Sequence, residues 1–193
     1  MERNSPTSQG YKLESQIREA YGRIVYTSTC HNKIVERLLK KNNTIKVWQI
    51  VLSALTTGSF LATIMSNEAI AGIIGACISI ILLILNAYTK NFDLVETAQS
   101  HQNSADALWK IREEYVSLLT DFDLLEVSDI MERRDDLQNR TAEIYAQSPK
   151  TDGRSYKEAQ KALKTEEEQT FSEKEIDVML PNSIRREKRE ETI

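Results

Sequence analysis

Residues 47–65 read VWQIVLSALTTGSFLATIM and residues 69–88 read AIAGIIGACISIILLILNAY, and neither stretch contains a charged side chain. Each is about 20 residues, which at 1.5 Å rise per residue matches a hydrocarbon core roughly 30 Å thick. The second stretch carries ten Ile or Leu residues. At about −0.3 to −0.6 kcal/mol each they favour insertion by roughly 3 to 6 kcal/mol before polar corrections. The first has fewer large apolar residues and several hydroxyls, so it depends on its partner to stay in the membrane. The alternative, a buried helical hairpin in a soluble core, needs amphipathic partners with wide apolar faces, and the remaining helical stretches have narrow ones. Only Ser66, Asn67 and Glu68 separate the two spans, so the reading is a tight transmembrane hairpin. Lys33, Arg37, Lys40, Lys41 and Lys46 precede the first span, Lys90 follows the second, and the turn has no basic residue. The positive-inside rule places both termini in the cytoplasm, and Trp48 and Tyr88 fall at the same boundary, where amphipathic rings prefer the headgroup layer.

Two patterns inside the spans invite function. Ala54, Gly58 and Ala62, spaced by four, form a small-residue ridge on the first helix; Gly72 with Ala76, and Gly75 with Ser79, form two more on the second. Such ridges let helices approach closely in lipid, either within the hairpin or between protomers. Ser53, Thr56, Ser59 and Thr63 recur at three- and four-residue spacing and share a face. That stripe is a candidate pore lining, although hydroxyls also bond their own helix carbonyls four residues back and are tolerated in lipid without any role. With no Asp, Glu, Lys, Arg or His inside the spans, a proton relay or ion-coupled transporter is not expected.

Outside the spans the chain is polar, with a formal charge of −4 over 193 residues. That balance argues against a nucleic-acid binder. Cys30 and Cys77 make no disulfide framework and read as reduced thiols, and the first 40 residues contain no signal peptide. Leu13, Ile17, Ala20, Ile24, Thr27, His31, Ile34 and Leu38 alternate spacings of four and three, the seam of a helix packed along a partner. Leu94, Ala98, His101, Ala105, Leu108, Ile111, Tyr115, Leu118, Phe122 and Leu125 repeat the pattern after the second span, in what reads as one unbroken helix. The two arms are expected to pair as an antiparallel stalk. His31 lies about fifteen residues before the first span and His101 about thirteen after the second, so they should sit at similar heights. They read as a polar layer that fixes register; a pH sensor or metal site is the sharper alternative.

A third helix is expected from about 126 to 145, ended by the Pro and Gly of Ser148-Pro149-Lys150-Thr151-Asp152-Gly153. A short charged helix follows over 156–168. Ser172 and Glu175 then form a capping box ahead of another short helix that Pro181 stops. The tail Arg185-Arg186-Glu187-Lys188-Arg189 reads as solvated, or as a basic cluster able to touch anionic lipid. No phosphate-cradling glycine loop, HExxH, CxxC or Ser-His-Asp set is evident. The sequence therefore names no catalytic residue, metal ligand or cofactor site, and an enzyme is not expected.

The order of parts resembles the SLATT family of two-transmembrane effector domains. The likeness spans a long N-terminal helix, the tight hairpin, a long helix and a shorter one, then residues 135–149, DDLQNRTAEIYAQSP, followed by Tyr156. The segment from Glu167-Glu168-Gln169-Thr170-Phe171-Ser172 through Leu180-Pro181 resembles the C-terminal extension of one SLATT subgroup. The resemblance implies a pore-forming effector of a bacterial conflict or anti-phage system in the inner membrane. In such a system a nucleotide signal from a nearby synthase, or a sensor protein, triggers oligomers that permeabilise the membrane. It supplies no catalytic residues. The rival reading is an inert anchor or scaffold whose tail recruits a partner. The expected fold is thus an all-α membrane protein in two parts. Residues 1–148 form a SLATT-like domain, with a cytoplasmic helix over 11–42, spans at 47–65 and 69–88, and cytoplasmic helices over 90–146. Residues 149–193 form a charged extension with short helices.

Overall fold

A computed structural model describes residues 8–66, 69–181 and 185. Among these the chain is helical throughout, with six α-helices in the order α1 Ser8–Ser66, α2 Ala69–Asn91, α3 Leu94–Thr120, α4 Val127–Gln147, α5 Gly153–Lys164 and α6 Glu173–Met179. A short 3-10 turn, Phe122–Leu124, joins α3 to α4.

The expected gap between residues 42 and 47 does not exist. α1 is one helix of 59 residues, about 88 Å long at 1.5 Å per residue. No Pro or Gly lies between Lys40 and Lys46, and Thr44 Oγ1 donates to the carbonyl of Lys40 at 2.9 Å. Continuing the helix across the water–lipid boundary keeps its backbone groups bonded where an interruption would strand them. The break falls instead after α2, where Asp93 caps α3 by accepting from the amides of Val95 and Glu96 at 2.9 Å each. The second arm is also shorter than its seam suggested. α3 stops at Thr120; Phe122 opens the 3-10 turn and Leu125 follows it.

The spans are not covered by protein: α1 and α2 each contain an apolar window long enough to cross a membrane, and those windows are 0% and 6% buried. Such exposure is what membrane spans show and a soluble hairpin core, with its apolar helices buried, does not. The connection through Asn67 and Glu68 lies outside the described residues.

The core lies in the other half of the molecule. Leu13, Ile17, Ala20 and Ile24 of α1 pack with Leu108, Ile111, Tyr115 and Leu118 of α3 and with Ile130 and Leu137 of α4. Contacts along α1 and α3 run in opposite order: Arg112 lies over the Tyr21 ring, Ser28 Oγ donates to the carbonyl of Ala105, and His31 meets His101. Arg140 of α4 holds Glu114 of α3 through both guanidinium nitrogens, at 2.7 and 2.5 Å, and this ion pair keeps the Glu114 carboxyl below its usual range.

Residue 148 is not a packing boundary. α5 begins at Gly153, three residues earlier than its charged pattern suggested, because Asp152 accepts from the Ser155 amide at 2.6 Å in a capping box. Its small residues Ser155, Ala159 and Ala162 are completely buried and allow close approach to α1. α6 has the expected box, with Ser172 Oγ accepting from the Glu175 amide and Glu175 accepting from the Ser172 amide. Arg185 donates to the carbonyls of Leu180 and Val178 near the end of α6. The remainder of the basic tail lies outside the described residues.

Candidate functional site

The hairpin is held by polar contacts at its open end and by close packing in its middle. Lys41 Nζ donates to the Tyr88 hydroxyl at 2.8 Å, and Gln49 Nε2 donates to Asn86 Oδ1 at 2.9 Å. Deeper in, the two glycines of α2 meet the hydroxyl stripe of α1. A Cβ built on Gly75 would lie 3.0 Å from Ser59 Cβ, and one on Gly72 would lie 3.3 Å from Thr63 Oγ1. Thr56, Ser59 and Thr63 are half-buried on that face. Their hydroxyls donate to the carbonyls of Leu52, Leu55 and Ser59, each at 2.9 Å. Ser53, the fourth candidate lining residue, is exposed.

The small-residue ridges therefore divide. Gly72 and Gly75 are used inside the hairpin, whereas Ala76 and Ser79 on α2 are exposed. On α1, Ala54, Gly58 and Ala62 are exposed, and a Cβ on Gly58 would meet nothing within 4 Å. Gly58 lies one residue from Ser59 and two from Thr56, about 100° to 200° around the helix, so the bare ridge and the packed stripe occupy different faces of one span.

Some 16 residues below the span, the two histidines make direct contact. His31 Nδ1 and His101 Nδ1 are 2.8 Å apart, with ring centroids 5.0 Å apart, and both side chains are buried. Such a contact requires one ring to donate and the other to accept, so at least one ring is neutral. Burial first, and then the neighbouring His101, lower the His31 pKa to about 4. Burial also lowers His101; Arg37 acts in the same sense and Asp152 opposes it. Sequence spacing predicted comparable heights for the pair. Ring-to-ring contact depended on the tertiary register.

Residues near the pair were not all legible as a group. Cys30 is buried and hydrogen-bonded with Ser155, and burial raises its thiol pKa, the condition of an unreactive cysteine. Arg37 donates to Asp152 Oδ2 at 2.6 Å and to Glu158 Oε2 at 3.0 Å. Lys33 contacts Glu168 at 2.8 Å, and Gln169 Nε2 donates to Thr29 Oγ1 at 3.0 Å. Glu167 and Gln169 adopt left-handed backbone angles, φ 51° and 75°, to return the chain onto α1. The 152–169 segment is therefore a strap fastened to residues 29–37 of α1. Lys33 and Arg37 had been read only as topology signals. The acidic partners lie more than a hundred residues away, with no spacing rule to connect them. Among the described residues no group of three or more His, Cys, Asp or Glu side chains is arranged to hold a metal ion.

Most of this arrangement, from the seam at Leu13 through α5 to the first turn of α6, falls inside residues 13–175, which match the SMODS and SLOG-associating 2TM effector domain family 4. The chain belongs to that family. No curated protein and no solved structure matches it. The SLATT assignment agrees with the two apolar helices and with the resemblance drawn from the order of parts. The matched region also runs through residue 148 and takes in α5, in keeping with the strap's packing on α1.

Proposed function

We propose that this SLATT protein is an oligomeric membrane effector of a bacterial conflict system, which permeabilises the cell membrane when a signal acts on its cytoplasmic helices. The observation that carries the reading is the bare Ala54–Gly58–Ala62 face of α1. In lipid, helices associate through close packing of small residues, and among the described residues this ridge is exposed, with nothing within 4 Å of a Cβ at Gly58. Two helices enclose no channel, so conduction requires several copies. Thr56, Ser59 and Thr63 face α2 in the single chain and would line a path only after α1 turns relative to α2; Ser53 already lies on the outer surface. α1 and α3 serve as an antiparallel stalk, and the strap restrains α1 just below the bilayer. Both termini are cytoplasmic, in agreement with the placement of Lys33, Arg37, Lys40, Lys41, Lys46 and Lys90. The family description, which pairs the domain with SMODS and SLOG proteins, supports a nucleotide signal or a partner protein as the trigger. No enzymatic step is assigned to the chain.

The second reading, a non-conducting anchor or scaffold, is favoured by one specific observation: three of the four candidate lining residues are half-buried toward α2, and their hydroxyls donate to carbonyls of α1 itself. Potassium efflux from liposomes holding the purified protein, with and without cyclic oligonucleotides, separates the two. The effector reading expects efflux that is lost in Thr56→Leu/Thr63→Leu and in Gly58→Leu. Intact liposomes under every condition, with insertion and oligomer formation verified, would establish the scaffold instead.

A further inference from the structure

Three tyrosines from three elements converge on one side of α1, away from the membrane helices. Tyr26 of α1 stacks on Tyr156 of α5, with ring centroids 5.7 Å apart and planes inclined by 25°. Tyr145 of α4 brings its hydroxyl 3.4 Å from Thr27 Oγ1. Among them lies a cavity of about 630 Å³, with Gly22 and Arg23 on its α1 wall, a size suited to one small organic molecule.

Two features set it apart from an incidental packing gap. Glycine in mid-helix costs stability relative to alanine, and a Cβ on Gly22 would meet nothing within 4 Å, so no neighbour demands the small residue. Tyr145 and Tyr156 remain 40% and 54% exposed, which leaves broad ring surface unused where three elements meet. The polar groups narrow the choice of occupant. Arg23 Nη1 is paired with Glu19 at 2.7 Å, so the lining carries balanced charge and selects for shape before charge. An aliphatic occupant would desolvate that pair and the threonine hydroxyls without replacing their hydrogen bonds. A flat heterocycle stacks on tyrosine and presents donors and acceptors at its edge.

We propose that this cavity binds a planar heteroaromatic compound, stacked on the open tyrosine faces with its polar edge toward Arg23 and Thr27. Because α1 and α5 both form its walls, an occupant holds the strap against the helix that enters the membrane. Binding does not depend on whether the hairpin conducts, and is measured without any leakage assay.

The test is saturation-transfer NMR on the full chain in detergent, with adenosine, guanosine, cytidine and nicotinamide as probes, ribose as the non-aromatic control and empty micelles as the baseline. The expected result is transfer to the ring protons of at least one probe, several-fold above ribose. That signal disappears in Gly22→Phe, whose side chain projects into the cavity and obstructs the ring site, and falls several-fold in Tyr156→Leu. Unchanged melting temperatures show that each variant folds; if Gly22→Phe does not, Tyr156→Leu decides alone. Transfer no greater than ribose for all four probes, or transfer undiminished in a folded cavity variant, overturns the proposal.

Discussion

Gly58 and Gly75 are both glycines of membrane helices, yet their surroundings differ: a Cβ at Gly75 would lie 3.0 Å from Ser59 Cβ, and one at Gly58 would touch nothing. Gly75→Leu should therefore force the hairpin apart and lower stability in detergent by about 1 to 3 kcal/mol. Gly58→Leu should leave the monomer within about 0.5 kcal/mol while reducing chemically cross-linked oligomers. Thermal unfolding and cross-linking of the two variants check the contrast. The histidine pair makes a prediction of a different kind. Its folded-state pKa values are depressed, so the unfolded chain takes up protons first as pH falls. Stability is complete above about pH 6.5 and declines as pH falls toward 4. A shift of His31 from its ordinary value to about 4 corresponds to about 3 kcal/mol over that window. Melting curves between pH 7.5 and 5 should slope more steeply for the native chain than for His31→Gln.

Between elements, the decisive contacts are those of the strap with α1. Arg37 joins both the α5 cap residue Asp152 and Glu158 in the following turn. Its side chain is largely shielded from solvent while Asp152 is half exposed, so the pairs fall between surface and buried ion pairs in character. Arg37→Ala should cost about 2 kcal/mol and speed trypsin cleavage in the 157–174 region several-fold. The double exchange Arg37→Glu/Asp152→Arg should recover part of the protection. Equal cleavage of native and Arg37→Ala chains would show that buried Ser155, Ala159 and Ala162 hold α5 without help from charge. The break at Asp93 matters in the same way: α1 carries its core-packed half into the apolar span as one helix, whereas α3 starts anew at the Asp93 cap after α2 ends. Movement of the strap thus reaches the first span directly and the second only through a joint.

The molecule as a whole separates two solvents. Its apolar surface is exposed in the spans, where lipid would cover it, and its core lies where α1, α3 and α4 meet. If both ends lie in the cytoplasm, green fluorescent protein fused to either terminus should fluoresce and alkaline phosphatase should remain inactive. The opposite pattern at one end would indicate an odd number of crossings and refute the hairpin topology.

Helix type, the two spans, the seam residues and the capping box at Ser172 were legible in the sequence because each depends on local spacing: 3.6-residue periodicity, uninterrupted apolar length, or a residue pair three apart. The continuity of α1 was obscured because a polar stretch reads as a boundary even where no residue breaks the helix. Which ridge packs inside the hairpin was open, since Gly58 and Gly75 obey the same spacing rule and only the approach of α2 tells them apart. The strap was hidden for a related reason, its charges pairing across more than a hundred residues. The sequence by itself determined what each segment is; tertiary structure decided which faces meet, because close packing depends on the relative rotation and register of whole helices, which no local pattern encodes.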